Sequence, residues 1–494
     1  MDTSVVAGTP SFLGTRRGKL VLALLCTVAF LDFADGSIVN IALATIQREL
    51  DVPMSTLQWI TSGYLVTYGG LMLLGGRLAD LLGRRRVLLT GTAIVGIASA
   101  VGGLADTAGL LIGARVAQGV GAALMLPAAL STLTTSFREG PERNTAMSAW
   151  GGAAGLASAA GVFLGGVLTQ GPGWRWVFYV NTPVCLLALV AIPALLPDDR
   201  RNEVRGGFDL LGTASATGGL MLLVYGLVRA PAHGWSSAGT IVELTLAALL
   251  LIGFVLNERL TANPLMPLSI FRIRGLAAAD LTQMTVAAGM IAMFFFVTLY
   301  MQNVLGYSEF GAGAASLPVS LAIGAAAGLF AKVFPRIGTR PVIVGGAAVG
   351  GLGVILLSRL PVHGSYLHDL LPGLLIMSVG MGAVFVANTT AANAGVPSAQ
   401  AGLAAALLNT AQQLGGAIGL AVLTAVATSH TNSRLTQGDD PVAAMTSGFR
   451  IALFVAGALA LVAALIACRT ANSRGESEPV STAGRADAQG VAGA

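Results

Sequence analysis

Stretches of about twenty apolar residues recur along almost the whole chain, and that length is what an α-helix needs to cross the hydrocarbon core of a bilayer. They fall near 20–43, 57–78, 87–106, 109–133, 146–169, 175–197, 209–229, 238–257, 276–303, 311–331, 341–359, 370–393, 400–428 and 449–468, which makes fourteen. In lipid every backbone N–H and C=O must be satisfied within the protein, so these stretches are expected to be helices and the fold an all-α membrane protein. Composition agrees: 54% of the residues are hydrophobic and only 10% are charged, against roughly 25% charged in a soluble domain. Glycine is abundant, at 65 residues, and the pairs Gly151/Gly155, Gly161/Gly165 and Gly415/Gly419 have the four-residue spacing of closely packed helices.

The isoelectric point near 9.4 could suggest nucleic acid. The basic residues are scattered along loops, however, so the charge reads as topological and no nucleic acid is expected. Fourteen spans put both termini on one face. Of the 28 Lys and Arg, Arg115 lies inside a span and only Arg48, Arg175, Arg229, Arg359, Arg434 and Arg450 fall on the opposite face. This bias places both termini in the cytoplasm of a multi-pass plasma-membrane protein. The opening "MDTSVVAGTPSFLGTRRGK" carries basic residues before an apolar stretch without a small-residue cleavage site after it, so it reads as the start of an uncleaved first span. Cys26, Cys185 and Cys468 all lie in apolar segments and suggest no disulfide framework.

Acids inside such spans need a reason. A carboxylate at mid-bilayer costs roughly 2.5–3.5 kcal/mol on insertion scales, yet "AFLDFADGSIVNIALATI" (29–46) contains Asp32 and Asp35, one helical turn apart on one face. Two such carboxylates cannot both ionise cheaply, so the pair is expected to share a proton, the property a proton carrier needs; a purely structural acid pair is the alternative. Arg115, in "GLLIGARVAQGVGAALMLP", stays charged and must pair inside the bundle or snorkel to the span's end. Gln118, one turn on, keeps that face polar. Asp280, in "GLAAADLTQMTVAAGM", begins the ninth span and is the third candidate acid; a solvated surface acid is its bland reading.

The chain divides into two halves. "GGRLADLLGRRRVLL" (75–89) and "AKVFPRIGTRPVIV" (331–344) place a glycine and basic residues in equivalent short turns. The expected organisation is a six-helix bundle over 1–198, a linker with two inserted helices over 199–262, a second six-helix bundle over 263–470 and a disordered tail over 471–494.

The motifs together resemble the major facilitator superfamily, in its fourteen-span drug/proton antiporter branch. "GRLADLLGRRR" looks like the loop signature between spans two and three, "RVAQGVGAALMLP" (115–127) like the span-four motif, and "DGSIVNIALATI" (35–46) like the span-one motif. "GWRWVFYVNTP" (173–183) and "LLNTAQQLGGAIGLAVL" (407–423) resemble the starts of span six and the span-thirteen pattern. The resemblance implies a conformational latch at Asp80, Gly83, Arg84 and Arg85, and proton coupling through Asp35 and Arg115; Asp32, one turn from Asp35, and Asp280, at a position where the family often has Asn, join the proton-coupling candidates from the reading of the residues alone. In the second half Pro335 stands where the latch Asp would be, and Val162 stands where the span-five antiporter motif has Pro.

Asn40, Tyr64, Gln118, Gln283, Gln302, Asn388, Asn393, Asn409, Gln412 and Gln413 are the candidate lining of a substrate cavity or, alternatively, interhelical hydrogen bonds. The run "MIAMFFFVTLYMQ" (290–302) could offer an adaptable apolar surface or could be core. No P-loop, nucleophile elbow or Cys/His metal spacing is visible, so no enzyme, metal or cofactor is expected. The function expected is proton-coupled export of small hydrophobic or cationic drugs by alternating access, by a monomer. A carrier dedicated to one solute such as a natural product, and a polytopic membrane sensor or enzyme, are the competing readings.

Overall fold

The computed structural model describes residues 12–138, 140–198, 209–261, 264, 268–397 and 400–474. Among these residues the chain forms fourteen long helices and no strand. They are α1 (Arg16–Leu50), α2 (Met54–Leu82), α3 (Arg84–Gly103), α4 (Ala108–Ser136), α5 (Pro141–Gln170), α6 (Trp176–Leu195) and α7 (Leu210–His233). The rest are α8 (Ala238–Leu260), α9 (Leu276–Val304), α10 (Glu309–Ile337), α11 (Thr339–Leu357), α12 (Tyr366–Asn393), α13 (Ala401–Thr436) and α14 (Pro441–Ala467). Thirteen are long and apolar enough to cross a membrane, and α7 contributes the apolar stretch Leu211–Leu227.

Turn chemistry sets the helix ends. Thr15, Thr107, Ser237 and Ser308 cap the starts of α1, α4, α8 and α10 by accepting a backbone N–H. Gly83 and Gly338, at φ 95° and 93°, make the tight α2–α3 and α10–α11 turns that a side chain would strain.

Packing repeats across the two halves. In the first, α1 pairs with α5, α2 with α4, and α3 with α4 and α6; in the second, α9 pairs with α13, α10 with α12, and α11 with α12 and α14. The halves meet through α2 against α13 and α5 against α10, which exchange under the same correspondence. Glycine makes equivalent contacts in each half. A Cβ on Gly161 or Gly165 would come within 2.8 Å of a backbone oxygen of α1, at Ala34 and Ile38 respectively. Gly415 and Gly419 abut the backbone of α9 at Met284 and Ala288 in the same way.

The inserted pair α7–α8 sits outside both bundles, on the seam between α2 and α13. Thr217 donates to Gly70 O at 3.2 Å, and Asn257 ties α8 to Asp209 at 2.6 Å. Glu243 of α8 pairs with Arg229 of α7 at 2.7 Å.

Residues 199–208, the start of the linker expected over 199–262, lie outside the described residues, as do tail residues 475–494. The first residues of that tail are placed against the start of α11. Thr339 N–H donates to Ser473 O at 2.9 Å, Ser473 N–H to Thr339 Oγ1 at 3.0 Å, and Arg340 Nε to Thr470 O at 2.9 Å. The polar backbone of 470–473 thus satisfies the exposed start of α11.

On the face opposite the termini the halves are joined. Arg48 and Thr45 of α1 donate to Glu309 of α10 at 2.7 and 2.5 Å, and Gln302 of α9 donates to Ile41 O at 2.9 Å. Gly313 packs so closely that a Cβ would sit 2.8 Å from Val162 O. Toward the terminal face, Gly155 of α5 and Gly324 of α10 have no such neighbour. The molecule is closed at the opposite face and parted between α5 and α10 at the terminal face.

Candidate functional site: a buried acid–arginine cluster

Asp32, Asp35, Tyr64, Tyr68, Arg115 and Gln118 converge from α1, α2 and α4 inside the first half, each less than a tenth exposed. They reach one another because the helices themselves pack closely. Gly119 of α4 lies so near α2 that a Cβ would be 2.6 Å from Tyr64 O. Arg115, 1% exposed, therefore does not snorkel.

Its guanidinium forms an ion pair with Asp35 Oδ2. It also donates from Nε to Ile60 O at 2.9 Å and from Nη1 to Gln118 Oε1 at 3.0 Å, and it lies 4.2 Å from the Tyr64 ring centroid. The other oxygen of Asp35 accepts from Asn181 Nδ2 at 2.7 Å and Gln118 Nε2 at 3.4 Å. Gln118 also donates to Ser99 at 2.8 Å, so α1, α3, α4 and α6 are joined by one network. A buried charge is tolerated only when paired and hydrogen-bonded on all sides, and Asp35 meets that condition.

Asp32 does not. Its partners are two neutral phenols, Tyr68 at 2.9 Å and Tyr64 at 3.2 Å. A cavity of about 10 Å³, lined by Asp32, Asp35, Tyr64 and Gln118 with Leu31, Val95, Ala122 and Met125, lies between the two acids. That is space for roughly one water.

The other candidates are spread more widely. Asn40 donates to Thr298 Oγ1 at 2.9 Å and, like Gln302, joins the two halves. Gln283, Asn388 and Gln412 form a chain of hydrogen bonds inside the second half, with Asp280 buried on the same stretch of α9. Asn409 and Asn393 donate to their own helices, at Ala405 O and Thr389 O. Gln413 packs its Cβ against Gly69 of α2. Asp80 is exposed and, among the described residues, makes no hydrogen bond or ion pair; Arg84 instead donates to Thr135 at 2.7 Å, and Arg85 lies 4.0 Å from Asp198. Most of the run 290–302 is core, with Phe295, Phe296 and Phe449 in ring contact, while Met290 borders an apolar cavity of about 30 Å³ in the second half.

Asn181, Tyr68 and Ser99 were not among the candidates read from the sequence. Asn181 stands in "GWRWVFYVNTP", but nothing local says that an asparagine at a helix start faces an acid of another span.

The model of the Major Facilitator Superfamily matches residues 25–420. The chain belongs to the major facilitator superfamily. It is a transporter and not an enzyme. It is 38% identical over 462 residues to the puromycin resistance protein pur8 of Streptomyces alboniger, covering 92% of each chain. It is 38% identical over 431 residues to the cephamycin export protein CmcT of Amycolatopsis lactamdurans, covering 86% of this chain and 88% of that one. The multidrug resistance protein Stp of Mycobacterium tuberculosis (strain ATCC 25618 / H37Rv) is 35% identical over 397 residues, covering 80% and 73%. Among solved structures, a bacterial homologue of the human lysosomal transporter Spinster, in an inward-facing and unoccupied conformation, superposes with a TM-score of 0.67 at 16% identity, covering 92% of this chain and 97% of that one. That likeness is one of fold.

Proposed function

We propose that this transporter exports small hydrophobic or cationic antimicrobial compounds from the cytoplasm in exchange for protons, with both termini cytoplasmic. The relatives named for puromycin, cephamycin and multidrug resistance support the export part. The observation that carries proton coupling is the charge balance of the buried cluster. Asp35 and Arg115 neutralise each other, so an ionised Asp32 would add a second negative charge with no cation left to meet it.

Asp32 is then the acid that takes up and gives off the proton, and Asp35 the fixed charge that holds Arg115. This is the opposite division of labour from the one that the span-one resemblance implies. The parted terminal face loads substrate, and the joined face opposite opens after the halves rock about the seam.

Everted vesicles test the reading. Adding exported dyes or antibiotics should release protons, and expression in a pump-deficient host should raise inhibitory concentrations at least fourfold. If a folded, inserted protein changes neither for any member of a chemically varied panel, general drug export is wrong. Response to one compound alone would favour a dedicated exporter, a reading that the single-antibiotic names of pur8 and CmcT also support.

A further inference from the structure

Outside the cluster in the first half, the described residues include two further buried acids, Glu258 of α8 and Asp280 of α9. Asp280 on α9 is 8% exposed, and among the described residues neither of its carboxylate oxygens has a hydrogen-bond partner. It lies about one turn from the terminal-face end of α9, in a layer where Leu276 and Ala279 pack with Leu407 and Leu408 of α13. Asn388 of α12 reaches the same level: its side-chain amide donates to Ala279 O at 3.1 Å and to Gln283 Oε1 at 3.0 Å. Its own Oδ1, in a fully buried residue, accepts from nothing.

Three buried acceptor atoms, Asp280 Oδ1, Asp280 Oδ2 and Asn388 Oδ1, therefore have no donor assigned to them. Leaving buried acceptors unmet is costly, more so for a carboxylate. The group that complements them is one that donates several hydrogen bonds, carries positive charge and accepts nothing, which describes an alkylammonium. Asp280 also lies toward the face where α5 and α10 are parted, so a compound entering there meets it near the start of its path.

We propose that Asp280, with Asn388 Oδ1, is the subsite that receives a protonated amine of the exported compound, a primary or secondary ammonium in preference to a quaternary one. The inference rests on the export reading above. Gln283 accepts from the Asn388 amide nitrogen, so the Asn388 oxygen is the atom of that side chain left for a ligand.

The test uses the full chain in proteoliposomes with dansylcadaverine, its neutral N-acetyl derivative and its quaternary N-trimethyl derivative. The native protein should move the primary amine at least tenfold faster than either derivative, and Asp280→Asn should erase that preference. Equal transport of all three by the native protein overturns the subsite while export stands. If nothing in the panel or among these probes is moved, export and subsite fall together. If Asp280→Asn loses every substrate and proton release alike, Asp280 is a proton carrier and the proposal is wrong.

Carbodiimide labelling of Asp280 in the native protein, read by mass spectrometry, removes dependence on the variant's folding. The N,N-dimethyl derivative of dansylcadaverine, a protonated amine that an activated carboxyl cannot acylate to an amide, should protect Asp280 at least fivefold better than the N-acetyl derivative. Equal protection by the two, or the same protection by sodium chloride alone, overturns the assignment.

Discussion

Asp35 and Arg115 pair within one half of the molecule, between α1 and α4, and not across the seam between the halves. The pair therefore travels as part of a rigid bundle, and its loss should be felt first as instability. Removing one partner of a buried ion pair costs about 3–5 kcal/mol, because the other charge is left uncompensated. Asp35→Asn is expected to lower the melting temperature in detergent sharply, and Asp35→Asn with Arg115→Gln should recover much of it. A single variant as stable as the native protein would show that Arg115 has another partner.

Asp32→Asn should behave differently. It keeps the shape of a side chain whose partners are two tyrosine hydroxyls, so folding and substrate binding should survive. Substrate-induced proton release from everted vesicles should vanish, and an imposed pH gradient should no longer drive transport between pH 5.5 and 8.5. Full coupling in this variant would return the exchanging role to Asp35.

Asn181 donates to the charged oxygen of Asp35 at 2.7 Å and is 2% exposed. A hydrogen bond to a charged group contributes about 1.5–3 kcal/mol. Asn181→Leu should destabilise the protein by that order and slow transport at least tenfold, whereas Asn181→Gln should retain part of both. A neutral effect of the leucine variant on melting and transport would exclude Asn181 from the network.

Glu309 joins α10 to Thr45 and Arg48 of α1 on the face opposite the termini. Arg48 is 64% exposed, so the ion pair itself contributes little. Together with the Thr45 hydrogen bond it is worth about 1 kcal/mol, roughly a fivefold shift between conformations. Glu309→Gln should raise the population open at that face, measured as greater spin-label separation between the ends of α1 and α10. An unchanged distance distribution would place the closing force elsewhere, in the Gly166 and Gly313 packing.

Gly155 and Gly166 lie eleven residues apart on α5, three helical turns and thus one face; Gly313 and Gly324 stand so on α10. One end of this shared surface is packed and the other is open. Gly313→Leu should block the present conformation and Gly155→Leu the opposite one, so both should stop transport while biasing cysteine accessibility in opposite directions. If both variants trap the same state, the two helices do not close at alternate ends.

Helix number and the shared face of the termini were legible from apolar run length and Arg/Lys placement, because lipid tolerates neither an unpaired backbone nor stray charge. Repeated turns suggested two halves, and the cost of polar groups in apolar spans drew attention to Asp32, Asp35, Arg115 and Gln118. Their partners were not legible. Asn181 reaches Asp35 across 146 residues, and Tyr68 reaches Asp32 across 36. Nor does the sequence distinguish Asn40 and Gln302, which join the halves, from Asn409, which bonds its own helix. By itself the sequence determined which groups could not face lipid, since that depends on a residue and the length of its span. Only the tertiary structure decided which acid receives the buried guanidinium of Arg115, because that choice follows from the close packing of α1 with α4 and α6, which no local pattern encodes.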